Sequence, residues 1–211
     1  MLIPMAVQVK EYGVRPRRCL HVGAHLAEEA PAYFRAGARD FWWIEANEEK
    51  ERPLSKALRR ARGNHQLTIA AVTSPDKAGK GTLHLADNGQ STSLLEPGTH
   101  LVHHDYVHFV GERQVTTTTI DALGGEAFAP DYLALDIQGA ELDALRGATQ
   151  TLGTVRWVYS EVNTEAVYKE CALLDELDAF LGGFGFIRVV TSMAGDAGWG
   201  DALYTRKVTR G

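Results

Sequence analysis

Short apolar runs alternate along this chain with segments whose apolar residues recur at helical spacing. Five runs have the composition of buried strands, at residues 18–22, 40–44, 66–72, 131–137 and 155–162. Helical patterns follow four of them, at residues 26–34, 48–61, 142–152 and 172–181. Pro53 places the start of the second helix near Glu51 or Arg52. Such alternation with short links predicts a parallel sheet with right-handed crossovers.

The last two strand-like runs, residues 186–190 and 202–205, have no helix between them. We therefore expect them to pair as an antiparallel hairpin at the end of an otherwise parallel sheet. Residues 73–114 interrupt the alternation with strand-like pieces around a polar stretch that contains histidines. A long segment of this kind in a compact domain is typical of a functional loop or lid.

The chain of 211 residues is read as one domain, because no Pro-, Gly- or Ser-rich linker divides it. A formal net charge of −5 argues against a non-specific nucleic-acid-binding protein, since phosphate contacts need a basic face. Two cysteines, Cys19 and Cys171, make neither a disulfide framework nor a four-cysteine zinc site. With no signal peptide and no apolar run near about 18 residues, we expect a cytoplasmic protein without a membrane span.

Two residues at strand ends indicate a cofactor that contains a nucleoside. Gly23 ends the first predicted strand, and Glu45 ends the second, 22 residues further on. Glycine permits a tight turn and close approach of the backbone to a ligand, and the N-terminus of the following helix offers free N–H groups. An acid at the end of the second strand can accept hydrogen bonds from ribose hydroxyls. Taken alone, Gly23 is equally well explained as a plain turn.

The turn after Gly23 does not favour a dinucleotide. A G-x-G-x-x-G loop would need glycine where this chain has His25 and Glu28. Glu28 and Glu29, expected in the first helical turn, are unfavourable beside a pyrophosphate. They suit S-adenosylmethionine (SAM), which has a sulfonium and an amino group but no phosphate. The alternative is that both glutamates only complement the helix dipole.

Acidic residues also end the next two predicted strands, at Asp136 and Glu161. Because neighbouring parallel strands end at the same edge of a sheet, we expect these carboxylates to lie close together. Adjacent carboxylates can raise one pKa into the working range of a general base. Glu141 either belongs to this group or complements the dipole of the helix that it begins. The sequence offers no third clear metal ligand, so we assign no metal site.

Six motifs extend over the chain from Cys19 to Arg206: HVGAHLAEE, FWWIEANEE, LALDIQGAELDALRGA, YSEVN, GFGFIRV and WGDALYTR. Together they resemble the FkbM-type SAM-dependent methyltransferases, and the DIQGAELDALRGA block is the most specific of them. The resemblance implies a Rossmann-like α/β fold, with a seven-stranded, mostly parallel sheet, helices on both faces and a C-terminal antiparallel hairpin. Residues 1–211 would then form a single methyltransferase domain with a lid-like insertion at about 73–114.

The resemblance implies cofactor contacts at Gly23, Ala24, His25, Glu45, Ala46, Asn47, Ala70, Ala71, Ser93, Asp136 and Gln138. In this assignment the glycine turn lines the methionine part of SAM, Glu45 binds the ribose, and Asp136 and Gln138 face the reacting centre. Two positions depart from the family pattern. Many members have Asp where this chain has His21, which bears on how the cofactor's amino group is held. Many have Gly where this chain has Ala27, which alters the turn.

Members of this family mostly methylate hydroxyl oxygens of sugars and small natural products, so we expect such an acceptor here, with S-adenosylhomocysteine as the second product. The general base would be Asp136 or a histidine of the insertion, His103 or His104, with Glu161 fixing the acceptor. Trp199 either packs on a sugar face or closes the edge of the core. We expect no nucleic-acid partner, and a homodimer is compatible with the sequence.

Two other functions fit parts of the sequence. A nicotinamide-dependent reductase could use the same sheet, but it needs a pyrophosphate loop that the sequence lacks. A SAM- or nucleoside-binding module without turnover would share the adenosine-site residues. The acids at two adjacent strand ends and the insertion favour an enzyme.

Overall fold

The computed structural model describes residues 1–99 and 106–207. A seven-stranded sheet contains β1 (Arg18–Val22), β2 (Asp40–Glu45), β3 (Asn64–Ile69), β7 (Tyr132–Leu135), β8 (Trp157–Asn163), β9 (Phe186–Met193) and β10 (Trp199–Arg206). The strand order is β3-β2-β1-β7-β8-β10-β9. Neighbours from β3 to β8 pair in parallel, and β10 is antiparallel to both β8 and β9. The predicted, mostly parallel sheet with an antiparallel hairpin is confirmed.

Helices cover both faces of this sheet, namely α1 (Met5–Tyr12), α2 (Ala30–Ala36), α3 (Glu51–Leu58), α4 (Gly125–Phe128), α5 (Glu141–Arg146) and α6 (Leu174–Gly183). The first three pack on one face and the other three on the opposite face, so the central strands are buried on both sides. Trp42 and Trp43, in the run 40–44 predicted to be a buried strand, are 1% and 0% exposed and belong to the two different cores. None of the helices in the described part of the chain is long and apolar enough to cross a bilayer.

A second sheet of three strands, in the order β4-β6-β5, includes most of the strand residues of the segment that interrupts the alternation. Its strands are β4 (Ala71–Val72), β5 (Gly79–Ala86) and β6 (Phe109–Thr118), and the last two form an antiparallel pair. The predicted third strand over residues 66–72 was therefore wrong at its end. Ala71 and Val72 leave the main sheet and pair in parallel with β6 instead.

The helix expected from residue 26 begins only at Ala30. Residues 24–29 form turns in which His25 and Ala27 have φ angles of 42° and 57°, outside the right-handed helical region. The predicted helix N-terminus directly after Gly23 was therefore wrong. Glu28 precedes the helix, and Glu29 is its N-cap residue rather than part of its first turn.

The other three predicted helices also differ from their predicted bounds, α6 by two residues at each end. The helix α3 begins at Glu51, as Pro53 indicated, but ends at Leu58. The helix α5 ends at Arg146 rather than continuing to residue 152, because the chain turns at Gly147.

Candidate active site

A cavity of about 410 Å³ lies at the carboxyl edge of the main sheet. Residues at or just after the carboxyl ends of β1, β2, β7 and β8 line it, represented by Gly23, Glu45, Asp136 and Glu161. Leu83 of the second sheet and residues 88–94 form another part of the cavity wall. Its volume lies within the range of about 300–1,000 Å³ typical of small-molecule sites.

Gly23 brings the end of β1 against the end of β7. It has a φ angle of 88°, and a Cβ placed there would lie 1.8 Å from the carbonyl oxygen of Asp136. The N–H groups of Gly23 and Ala24 both donate to the carbonyl of Ile44, at 2.9 and 3.1 Å, which fixes the turn against β2. The turn therefore requires glycine, and it keeps this part of the cavity free of a side chain.

Glu45 is held by backbone donors on both of its carboxylate oxygens. Oε2 accepts from the N–H of His25 and Oε1 from the N–H of Asn47, each at 2.8 Å. Burial raises the pKa of Glu45, against the opposing effect of these donors. Each oxygen still has a free lone pair, so the carboxylate can accept hydrogen bonds from two hydroxyl groups of a ribose.

The turn after Gly23 is stabilised by side chains instead of by a helix. His25 Nδ1 lies 2.8 Å from Glu28 Oε1, and His25 Nε2 lies 3.1 Å from Lys50 Nζ. The N–H of Leu26 donates to Glu28 Oε2 at 3.1 Å. Glu28 thus satisfies the backbone of the turn while it lines the cavity.

Gln138 joins the two acids predicted to face the reacting centre. Its side-chain amide donates to Asp136 Oδ1 at 2.8 Å and to Glu161 Oε2 at 3.0 Å. The Tyr168 hydroxyl donates to the amide oxygen at 2.8 Å, and the Ser93 hydroxyl donates to the backbone carbonyl of Gln138 at 2.7 Å. These contacts hold Gln138 at a φ angle of 59°, which such a residue adopts only where its surroundings fix it.

Three acids stand side by side at the ends of adjacent strands. Asp201 lies opposite Glu161 in the pairing of β8 with β10, and Asp136 follows β7 beside them. We name Asp136, Glu161 and Asp201 the carboxylate row. Burial, reinforced by the charges of Asp136 and Glu141, raises the pKa of Glu161 well above its usual range. Glu161 is thereby favoured as a proton-bearing carboxyl group beside Asp136, which is exposed.

Glu141 supports the row from behind and does not line the cavity. Its Oε1 atom accepts from the N–H groups of Ile137 and Gly139, at 2.9 and 3.2 Å. Burial raises its pKa to about 7. The side chain therefore braces the turn that holds Gln138, a role that neither of the two sequence-based interpretations included.

Apolar and aromatic side chains form much of the remaining cavity wall, among them Leu83, Leu94, Val107, Val167, Tyr168 and Trp199. Trp199 begins β10 and pairs with Asn163 at the end of β8. Its position in the wall places an aromatic surface near the carboxylate row.

The structure brings most predicted cofactor contacts into this cavity, namely Gly23, Ala24, His25, Glu45, Ala46, Ala70, Ala71, Ser93, Asp136 and Gln138. Asn47 is not part of the wall, because its N–H supports Glu45 and its side chain accepts from the N–H of Glu49. His103 and His104 lie outside the described residues. The binding and catalytic roles of all these residues stay predictions.

Tyr168 lines the site, although no sequence pattern indicated it. Tyr168 lies in an irregular segment between β8 and α6, where no apolar periodicity marks it. The only available signal was its position after the carboxyl end of a strand, at the edge where parallel sheets bind ligands.

The charges of the cavity fit SAM. Its described lining contains no Lys or Arg, and its carboxyl groups belong to Glu28, Glu29, Glu45, Asp136, Glu161 and Asp201. Such a wall attracts a sulfonium and an ammonium group and repels a pyrophosphate. For the adenosine part of SAM, Gly23 leaves open space and Glu45 offers free lone pairs to the ribose hydroxyls.

Comparisons with known proteins agree with this fit. The model of the methyltransferase FkbM domain matches residues 21–188. The 2-O-methyltransferase NoeI of Sinorhizobium fredii (strain NBRC 101917 / NGR234) is 30% identical over 146 residues. That alignment covers 61% of this chain and 60% of NoeI, less than two thirds of either protein.

Two solved structures show the same fold. Magnesium protoporphyrin IX methyltransferase (ChlM) from Synechocystis PCC 6803, with bound SAM, has a TM-score of 0.53 at 11% identity, over 96% of this chain and 76% of that chain. A putative RNA methyltransferase from Pyrococcus horikoshii has a TM-score of 0.51 at 9% identity, over 98% and 81%. The expected Rossmann-like fold is confirmed. The family match includes the Gly23 turn, Glu45 and both acids joined by Gln138, and the chain therefore belongs to the FkbM family of SAM-dependent methyltransferases.

Proposed function

We propose that this chain transfers a methyl group from SAM to a hydroxyl oxygen of a sugar or small natural-product acceptor. The observation that carries the proposal is the pair of acids, Asp136 and Glu161, held by one amide inside the cavity. The name of NoeI, a 2-O-methyltransferase, supports oxygen as the methylated atom.

When bound, SAM supplies a methyl group on a sulfonium sulfur, which is already a good leaving group. The chain itself then has to align the acceptor hydroxyl and take up its proton. Asp136 presents an exposed carboxylate for that proton, and His103 or His104 is the alternative base. Glu161, favoured in its protonated form, can donate a hydrogen bond that fixes the acceptor. The side-chain amide of Gln138 donates to both carboxyl groups and so fixes their positions relative to each other.

The wall of the cavity supports an uncharged acceptor. Its acids repel a phosphorylated compound, and the Trp199 ring offers a flat apolar surface on which a sugar can pack. We assign the acceptor side of the site to the insertion at about 73–114 together with the β9–β10 hairpin. We place the reaction in the cytoplasm, as the sequence composition indicates.

The test is turnover with SAM against a panel of sugars and hydroxylated metabolites, read by mass spectrometry, with the methylated atom located by NMR. Wild-type protein should produce an O-methyl product. The general base is identified by the turnover of three variants, Asp136→Asn, His103→Ala and His104→Ala. Full turnover in all of these variants would overturn the assigned bases, and methyl transfer to nitrogen, carbon or RNA would overturn the acceptor class.

A binding experiment separates the two other functions. S-adenosylhomocysteine should raise the melting temperature of the protein, whereas NADH should not. Stabilisation by NADH alone would indicate a reductase. Binding of S-adenosylhomocysteine without turnover across the whole panel would indicate a non-catalytic module.

A further inference from the structure

His21 is a buried polar residue in the wall of the cavity that the proposed mechanism does not use. It is 5% exposed and lies on β1, two residues before Gly23. Its ring stacks on Trp43, with centroids 5.3 Å apart and planes inclined by 29°. Its Nδ1 atom lies 3.0 Å from the hydroxyl of Tyr33. The ring is therefore held in one orientation.

Tyr33 determines which ring nitrogen carries the proton. The Tyr33 side chain is fully buried, and within residues 1–99 and 106–207 its hydroxyl has only the Nδ1 atom of His21 as a partner. A buried hydroxyl that donates to nothing is unfavourable, so the hydroxyl donates to Nδ1. Burial also raises the pKa of Tyr33, which keeps this proton on the phenol. The neutral imidazole of His21 then bears its own proton on Nε2.

The Nε2 atom of His21 is the ring nitrogen that the described residues leave for a ligand. It has no hydrogen-bond partner in the described part of the chain, and it is not among the polar atoms sealed inside the protein. Because His21 lines the cavity, its N–H group is available there. In a wall with many carboxylates and no described Lys or Arg, this group is a donor suited to an anionic part of the ligand.

We propose that His21 binds the carboxylate of the methionyl group of SAM through Nε2–H. The inference rests on SAM being the methyl donor, as proposed above. Glu29 also lines the cavity, one helical turn before Tyr33, and presents an acid to the ammonium of the same methionyl group. A neutral donor and an acid thus recognise the two ends of an amino-acid head without arginine. The assignment requires a side-chain donor at this position, which an aspartate could not supply.

The test compares two ligands by isothermal titration calorimetry: S-adenosylhomocysteine and its analogue that lacks the carboxylate. In His21→Phe, which keeps the stacking ring but has no donor, we expect affinity for S-adenosylhomocysteine to fall about tenfold or more. Affinity for the decarboxylated analogue should change by less than about twofold, because no carboxylate contact is lost. His21→Gln, which restores an N–H donor, should recover part of the loss.

The matched control is His65→Phe. His65 also stacks near Trp43, with centroids 6.2 Å apart, but it does not line the cavity. This variant should bind both ligands as the wild-type protein does. Melting temperatures of all variants establish that each one is folded.

A second readout needs no ligand. Long-range 1H–15N correlation spectra of the wild-type protein should show His21 protonated at Nε2, and Tyr33→Phe should weaken this preference. An Nδ1-protonated ring, or equal loss of both ligands in His21→Phe, would overturn the inference and leave the proposed methyl transfer intact. A wild-type protein that binds neither ligand would overturn both.

Discussion

Asp136 and Glu161 accept hydrogen bonds from the same side-chain amide, that of Gln138, at 2.8 and 3.0 Å. The two acids nevertheless have different surroundings. Glu161 is buried with a raised pKa, whereas Asp136 is exposed to the cavity. Acids with separated protonation behaviour are the usual basis for dividing acid and base roles within one site.

This asymmetry predicts unequal effects of two isosteric substitutions. Asp136→Asn removes the proposed base and should lower kcat by about 10²–10⁴-fold. Glu161→Gln replaces a protonated carboxyl group by an amide that can still donate a hydrogen bond. The substitution should therefore lower kcat by about tenfold or less. Initial rates with the identified acceptor measure both, and affinity for S-adenosylhomocysteine shows that the cofactor side is intact. The reverse order of effects would make Glu161 the base.

Gly23→Ala should destabilise the protein and abolish cofactor binding. The new Cβ would collide with the carbonyl of Asp136 at a positive φ angle, which should lower the free energy of unfolding by about 3 kcal/mol. Gly182→Ala is the matched control, since this glycine lies within α6 with no atom near its Cβ position. That substitution should stabilise the protein by about 0.5–1 kcal/mol. Urea unfolding measures both, and equal stability of the two variants would contradict the tight turn.

Tyr168→Phe tests whether the orientation of Gln138 matters to the reaction. Without the hydroxyl the amide can rotate, so kcat should fall about tenfold while the KM for SAM changes by less than about threefold. The lower pH limit of activity should move to higher pH, because an oriented donor favours the ionised acids. Tyr204→Phe is the control: its hydroxyl donates to Asp178 at 2.9 Å, and neither residue lines the cavity. An unchanged pH profile in Tyr168→Phe would remove this residue from the positioning of Gln138.

Because burial raises the pKa of Glu141, we expect the stability of the protein to decrease as pH rises. The pKa of Glu141 is raised to about 7 from an ordinary value of 4.5, so the folded state binds more protons than the unfolded state between these values. The contribution of Glu141 to the free energy of unfolding is present in full below pH 4.5 and is lost as pH rises through about 7. Between these values the free energy of unfolding falls by up to about 1.4 kcal/mol per pH unit. Glu141→Gln should flatten this slope, and Glu126→Gln, at an exposed position of α4, should not. Urea unfolding between pH 5 and 8 provides the measurement, and a slope unaffected by Glu141→Gln would contradict the prediction.

The main sheet could be predicted because its strands are short apolar runs buried on both faces. The run around Trp42 and Trp43 supplies both cores at once, which only a central strand can do. The helix start at residue 26 could not be predicted correctly. Leu26 has the right spacing, but the carboxylate of Glu28 takes the N–H of Leu26 and holds a non-helical turn. Local periodicity carries no information about this side-chain competition.

The residues at strand ends could likewise be predicted, because the edge of a parallel sheet is determined by strand direction. Asp136, Glu161 and Glu45 all line the cavity for this reason. Tyr168 and the second sheet depend on contacts between distant segments. The pairing of β4 with β6 joins residues far apart in the chain, which no local pattern shows.

That pairing has a consequence for how such proteins diversify. Val72 pairs with Thr118, and the N–H of Thr73 donates to the Thr118 carbonyl at 2.8 Å, so the two ends of the intervening segment lie next to each other. The entropy of closing a loop grows only slowly with its length. The segment can therefore vary in length at little entropic cost, whereas the Ser93 hydroxyl, which donates to the carbonyl of Gln138, ties its middle to the site.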